Sequence, residues 1–255
     1  MPPRYPILWN LLFRLVIDGF ADRRRSFGPD ARACVAKLKP PLLVYGEEHI
    51  PACGLCLVTF NHYSRPGFQA WWLALAISAV LPYEVLWTVT AAWTFPDRLR
   101  ARWLTPLTRH LFQRVADVYG FISMPPMPPD PGEVMERARS VRRVLSYIQK
   151  ADHLVIGLAP EGRDFEGGRL GSPPVGAGRF MLHLSDLGMQ ILPLGAYEAD
   201  GRFCIRIGPA YQLEVPVGLP NMERDRCASR IVMSHIACLL PIYLRGQYSS
   251  EINSA

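Results

Sequence analysis

The chain alternates short, uninterrupted apolar runs with longer amphipathic stretches. Residues 55–60 (LCLVTF), 85–90 (VLWTVT), 153–160 (HLVIGLAP) and 189–197 (MQILPLGAY) are apolar runs bounded by glycine, asparagine or proline. That is the pattern of strands buried on both faces. Residues 119–124 (YGFISM) and 202–208 (RFCIRIG) read as two more strands, the second alternating as a half-buried strand does. Between the runs, helical spacing predicts helices from about Pro66 to Val80, after a capping pattern at Thr94 to Asp97, and from about Glu133 to Lys150. Two more are predicted over residues 175–187 and from about Arg224 to Leu240, while residues 125–131 form a proline-rich connection. Strand and helix in alternation predict an α/β fold, a largely parallel twisted sheet with helices on both faces.

An amphipathic helix is expected ahead of that sheet. Asn10, Arg14 and Asp18 recur every four residues and make one narrow polar stripe. Ile7, Leu8, Leu11, Leu12, Leu15, Val16 and Phe20 cover the rest, with Trp9 at one end and Arg23, Arg24 and Arg25 at the other. An aromatic at one end and positive charge at the other suit a helix lying on a membrane surface. The run is too short to span, and Arg14 and Asp18 interrupt it. No small-residue cleavage site follows it. Residues 1–38 therefore read as an N-terminal helical appendage and residues 39–255 as one α/β domain, cytoplasmic and peripheral on the inner face of the membrane.

Composition narrows the function classes. With 49% hydrophobic and 20% charged residues in 255, the chain is globular and long enough for a large core. Its six cysteines stand in mostly apolar contexts and read as reduced core residues. Cys53 and Cys56 form a C-x-x-C, but no second pair follows, and no metal site is expected. The formal charge is +6, and all but three of the 28 basic residues are arginines, the exceptions being Lys37, Lys39 and Lys150. Arginine favours bidentate contact with phosphate and carboxylate, so anionic lipid and a phosphorylated carrier suit it. No nucleic-acid motif or basic helix with interleaved aromatics is present, and nucleic acid is not an expected partner.

In a sheet of this kind, sites form beyond the carboxyl ends of strands. Two places qualify: Asn61-His62 after the strand at 55–60, and APEGRD (159–164) after the strand near 153–158. The blocks FNHYSRPG, GFISM, LAPEGRD and ILPLGAY, in that order, resemble the four blocks of the glycerolipid and lysophospholipid acyltransferase family over roughly residues 40–212. The resemblance implies transfer of a fatty acyl group from a CoA or carrier-protein thioester to a lipid hydroxyl at the membrane surface. It also implies that no cofactor is needed beyond acyl-CoA or acyl carrier protein as co-substrate. His62 becomes the general base; Glu161 and Gly162 belong to the acceptor-binding block, and Pro193 lies in the last block. Histidine suits the task because its ordinary pKa lies nearest neutrality, and a thioester needs only a base and oxyanion donors. Amides around Ser64 or Gly67 are candidate donors.

The departures are as informative as the match. The family's first block ends in an aspartate that orients the histidine, and here that position is Gly67. Another carboxylate is then required, with Glu161, Asp164, Glu84 and Asp97 as candidates in that order. Met124 replaces an arginine that holds acceptor phosphate in the second block, and in the third block Arg163 stands one residue early, followed by Asp164. Asn61, Arg65, Gly162, Arg163, Asp164 and Arg179 are the expected substrate-binding residues, His62 and Glu161 the catalytic ones. The glycine-rich stretch 166–180 lacks a P-loop ending and reads as a mobile loop leading into a helix whose N-terminal amides and Arg179 face an anionic part of the substrate. His49, His110, His153 and His183 read as packing or surface residues. An inactive relative that binds lipid or acyl ligand, and hydrolysis by water activated at His62, use the same residues and stay open at this point.

Overall fold

The structure is a computed structural model describing residues 2–6, 8–52, 54–90, 98–125, 132 and 134–249. Its strands are β1 (Leu43–Tyr45), β2 (Leu55–Phe60), β3 (Val85–Thr90), β4 (Ile122–Met124), β5 (Leu154–Leu158), β6 (Gln190–Ala199) and β7 (Arg202–Ile207). The helices are α1 (Trp9–Phe20), α2 (Phe27–Val35), α3 (Trp71–Val80), α4 (Arg98–Tyr119), α5 (Val134–Ile148), α6 (Ala177–Asp186) and α7 (Asn221–Cys238). The strands form one seven-stranded sheet in the order β1-β7-β6-β2-β5-β3-β4. All neighbours pair parallel except β6 and β7. The expected α/β class is therefore observed. The cap at Thr94 to Asp97, most of the proline-rich connection and Cys53 lie outside the described residues.

The order places β2 at the centre, and five of its six residues are buried. β6 beside it carries Pro193, which is unusual in a central strand because proline donates no ladder hydrogen bond. Ile191 bonds in both directions to Tyr211, and the Pro193 carbonyl accepts from the amide of Gly208. The missing N–H thus faces the same side as these contacts, where the chain leaves β7 after Ile207. The antiparallel pair β6–β7 is closed by Asp200 and Gly201, both at positive φ (50° and 71°). Asp-Gly is the favoured pair for such a hairpin turn.

One core runs through the whole described chain. Phe27, Ala31, Cys34 and Leu38 are buried in it, and the ring of Tyr5 packs against Phe68, Trp72 and Phe203. Tyr5 and the buried face of α2 thus pack into the same core as the sheet. On the other side of the sheet centre, Trp87 on β3 lies against Gly157 on β5, donates to Ser78 Oγ at 2.9 Å and meets Phe60 edge-on. A β-carbon at Gly157 would come within 2.6 Å of the indole ring. Gly157→Ala is expected to cost about 1–3 kcal/mol, the usual range for overpacking a filled core. A thermal melt at the wild-type temperature would contradict that packing.

Candidate active site

β2 and β5 are adjacent and parallel, with Thr59 opposite Leu158. Both chains therefore leave the sheet at the same end, and the segments 61–68 and 159–171 meet there. Three interactions fix them. Asn61, 1% exposed, donates from Nδ2 to the Ala196 carbonyl at 2.8 Å and accepts the Ala196 amide on Oδ1 at 2.7 Å. Its side chain thus continues the β2–β6 ladder past the strand's end. Glu161, 2% exposed, accepts the backbone amide of His62 at 2.6 Å on one oxygen and that of Gly171 at 2.7 Å on the other. Gly168 at φ 67° lies so close to Ser64 that a β-carbon there would come within 2.6 Å of the Ser64 carbonyl oxygen.

These contacts hold the His62 ring with Nδ1 turned inward. Nδ1 is 2.6 Å from Oδ1 of Asp164, with the histidine side chain 23% and the aspartate 62% exposed. Nδ1 is buried, and its N–H is angled off the carboxylate instead of aimed along it. The pair is thus a close contact without hydrogen-bond alignment. The contact with His62 holds the Asp164 carboxyl below its usual 3.8, against the opposing effect of its partial burial. With Nδ1 facing a carboxylate, Nε2 is the ring nitrogen that the carboxylate does not engage.

Of the candidate carboxylates, Asp164 is thus the one in contact with the His62 ring, and not Glu161, which the sequence placed first. Glu161 is occupied by two amides and positions the His62 backbone. Glu84 is at the opposite end of β3, where it accepts from the Ser26 hydroxyl and lies 3.4 Å from the Gly28 amide. Asp97 lies outside the described residues. Gly67 itself is at φ 81°, a conformation that disfavours a side chain.

Other expected substrate-binding residues have partners within the protein. Arg65 grips Glu198 with Nε at 2.6 Å and one terminal nitrogen at 2.7 Å, and its remaining terminal nitrogen donates to the Pro66 carbonyl. Glu198 also accepts the Tyr5 hydroxyl at 2.5 Å. The fork of Arg65 thus ties the His62 segment to β6 and to the N-terminal segment instead of facing a substrate. The first amides of α6 do not face a substrate either. Asp225, buried on α7, accepts the amides of Gly176 and Arg179, both at 2.8 Å, and neutralises that helix end. The Arg179 side chain remains exposed. Arg163 is exposed and stacks its guanidinium over the Phe165 ring at 4.7 Å. Gly162 takes φ 65° in the turn between Glu161 and Arg163.

Within the stretch 166–180, expected as a mobile loop, two residues are tied to the rest of the domain. Leu170 is buried and donates its amide to the Leu244 carbonyl at 2.8 Å, while the Gly171 amide is held by Glu161. His110, His153 and His183 are exposed, and His49 is half-buried with Nδ1 2.9 Å from the Ile207 carbonyl oxygen. Among the described residues no cluster of histidine, cysteine and acidic side chains could hold a metal.

Glu161 supports a stability prediction. Burial raises its carboxyl above the usual 4.5, against the pull of the two amide hydrogen bonds. A raised folded pKa means that the native state keeps a proton the unfolded chain releases, so stability falls as pH rises from 4.5 through the folded value. Glu161→Gln removes that slope and leaves one acceptor for two amides, at a cost of about 1–3 kcal/mol near neutrality. Melting curves of the two proteins across pH test both statements; equal midpoints at neutral pH would contradict the clamp.

No protein-family model and no curated protein sequence matches the chain. Among solved structures, it is similar to the crystal structure of the 1-acyl-sn-glycerophosphate (LPA) acyltransferase PlsC from Thermotoga maritima. The TM-score is 0.45 with 15% sequence identity, over 90% of this chain and 88% of that one.

Proposed function

We propose that the protein is an acyltransferase moving a fatty acyl group from a CoA or carrier-protein thioester to a lipid hydroxyl, with His62 as general base. The observation that carries this reading is the 2.6 Å contact between His62 Nδ1 and Asp164. A histidine with a carboxylate behind one nitrogen and the other nitrogen free is organised for proton transfer. That contact favours a working site over a vestigial one. His62 Nε2 takes the proton of the acceptor hydroxyl as its oxygen attacks the thioester carbonyl. The tetrahedral oxyanion collapses, the C–S bond breaks, and the departing thiolate receives the proton from the imidazolium. Asp164 holds the ring and balances its transient charge. The Gly67 amide, which has no partner among the described residues, is the candidate oxyanion donor.

The charges around His62 shape the choice of acceptor. Asp164 and Met124 occupy the positions where the resembling family carries phosphate-holding arginines, and a carboxylate repels a phosphate monoester placed against it. The acceptor on this reading offers its hydroxyl with no phosphate monoester at that point. Arg163 and Arg179, both exposed, are the candidates for the phosphates of the donor. No cofactor enters the scheme. Release of free thiol from long-chain acyl-CoA, with labelled acyl group recovered on a lysolipid, tests the proposal. Thiol release with the label recovered only as free fatty acid would make the protein a hydrolase. No turnover with either CoA or carrier-protein thioesters would remove the reading.

We place the protein on a membrane surface through α1. No helix among the described residues is long and apolar enough to cross a membrane. Leu8 and Leu11 pack against the core, whereas Trp9, Phe13 and Phe20 point outward, 75%, 67% and 84% exposed. A helix with a second apolar face turned to solvent, followed by exposed Arg23 and Arg24, suits an anionic lipid surface. Phe13→Ala and Phe20→Ala are each expected to lower partitioning onto anionic vesicles about tenfold, from the apolar area each ring buries. Unchanged sedimentation with vesicles would contradict this.

A further inference from the structure

A second cleft opens at the end of the sheet opposite His62. Gly54 and Cys56 of β2, Val85 and Leu86 of β3, and Leu154 and Val155 of β5 mark the amino ends of three neighbouring parallel strands, and they line its floor. Its volume is about 860 Å³, within the usual range of small-molecule sites. Tyr83, Tyr119 and Tyr147 supply aromatic walls. None of these residues takes part in the chemistry proposed for His62, and the sheet lies between the two places.

The charge on the rim is unequal. Arg25 is held by Asp18 and Asp30, each at 2.7 Å. Glu84, the acidic residue of the lining, is engaged by the Ser26 hydroxyl and lies near the Gly28 amide. The amide of Gly54 donates to His153 Nδ1 at 3.1 Å. Arg24 remains exposed, with no ion pair among the described residues. A mostly apolar cleft thus carries at its mouth the Arg24 guanidinium, with no ion pair among the described residues, and the hydrogen-bonded carboxylate of Glu84. The cleft also adjoins the end of α1, since the Arg25 amide donates to the Val118 carbonyl at 2.8 Å and Gly19 faces Val118. The outward apolar face of α1 ends at this mouth.

We infer that this cleft binds a single-chain anionic amphiphile, its chain along the strand ends and its charged head at Arg24. A fatty carboxylate and the phosphate of a lysophospholipid share the required chemistry. The inference does not depend on any reaction at His62, and His62→Ala is expected to bind as the wild type does.

The test uses the full chain and a dansyl-labelled long-chain carboxylate below its micelle threshold. Saturable binding is expected, displaced by oleate or by oleoyl lysophosphatidate and much less well by neutral monoolein; the better of the two anions identifies the source. Arg24→Glu should weaken binding at least tenfold. Ala52→Trp, at an exposed position of the lining, should block it without altering the melting temperature. Absence of saturable binding would overturn the inference. So would displacement by monoolein as readily as by oleate, or affinity unchanged in both variants.

Discussion

His62→Ala is expected to lower turnover about 10⁴-fold, the largest effect of any substitution considered. Removing a general base costs about 10²–10⁴, and here the same nitrogen must also return its proton to the departing thiolate. Fold should survive, because the anchoring falls on the backbone: Glu161 binds the amide of His62, and Asn61 carries the ladder contact. Binding of acyl donor should be nearly unchanged, so the loss appears in kcat and not in KM. Free-thiol release measured with long-chain acyl-CoA and lysolipid checks it; retention of more than a tenth of wild-type turnover would exclude His62 as the base.

Asp164→Asn is expected to lower turnover about 10²–10³-fold. Removing the orienting carboxylate of a buried triad costs about 10⁴. Asp164 is 62% exposed, so solvent screens part of its effect and the smaller figure follows. Asp164→Glu should recover part of the loss, since a carboxylate remains within reach of Nδ1. A stability signature accompanies the kinetic one. Because contact with His62 lowers the Asp164 carboxyl below 3.8, its contribution to stability is present above that value and is lost as pH falls through the lowered one. The Asn variant should lack that acid-side loss. Wild-type turnover in Asp164→Asn would mean that the contact is incidental.

The strands were legible because burial on both faces leaves an apolar run that needs no partner to be recognised. β2, β3, β5 and β6 fall within a residue or two of their expected limits. The antiparallel turn between β6 and β7 was also written in the chain as Asp200-Gly201, a signal easily passed over inside an α/β pattern. β1, three residues long and at an edge, carries too little periodicity to be distinguished from a loop. The packing of Tyr5, Phe27 and Ala31 in the core was hidden for a different reason. The partners of Tyr5, Phe27 and Ala31 lie dozens of residues away, and helical spacing says only that a face is apolar, not what covers it.

The site was legible in part. His62 and the block at 159–164 could be placed at strand ends, and adjacency of β2 and β5 turns those two ends into one place. The identity of the partner carboxylate was not legible. Glu161 and Asp164 are three residues apart, and the choice between them depends on which way each side of a turn faces. The turn sends Glu161 inward to two amides and leaves Asp164 at the ring. The roles of Arg65 and of the α6 terminus were likewise set by distant acids, Glu198 and Asp225, that no local spacing connects to them. Arginine near a histidine was a reasonable signal for an anionic substrate; the structure spends that charge within the protein.

The proposed dyad requires Asp164 to act through His62, and a double-mutant cycle tests this most directly. Turnover is measured for the wild type, His62→Ala, Asp164→Asn and the double variant under one set of conditions. Residues that act as a unit lose activity non-additively. The dyad predicts that the double variant is no slower than His62→Ala alone, because Asp164 has nothing left to orient. Losses that multiply, so that the double variant is slower than His62→Ala by the full factor of Asp164→Asn, would show two independent contributions and contradict the dyad.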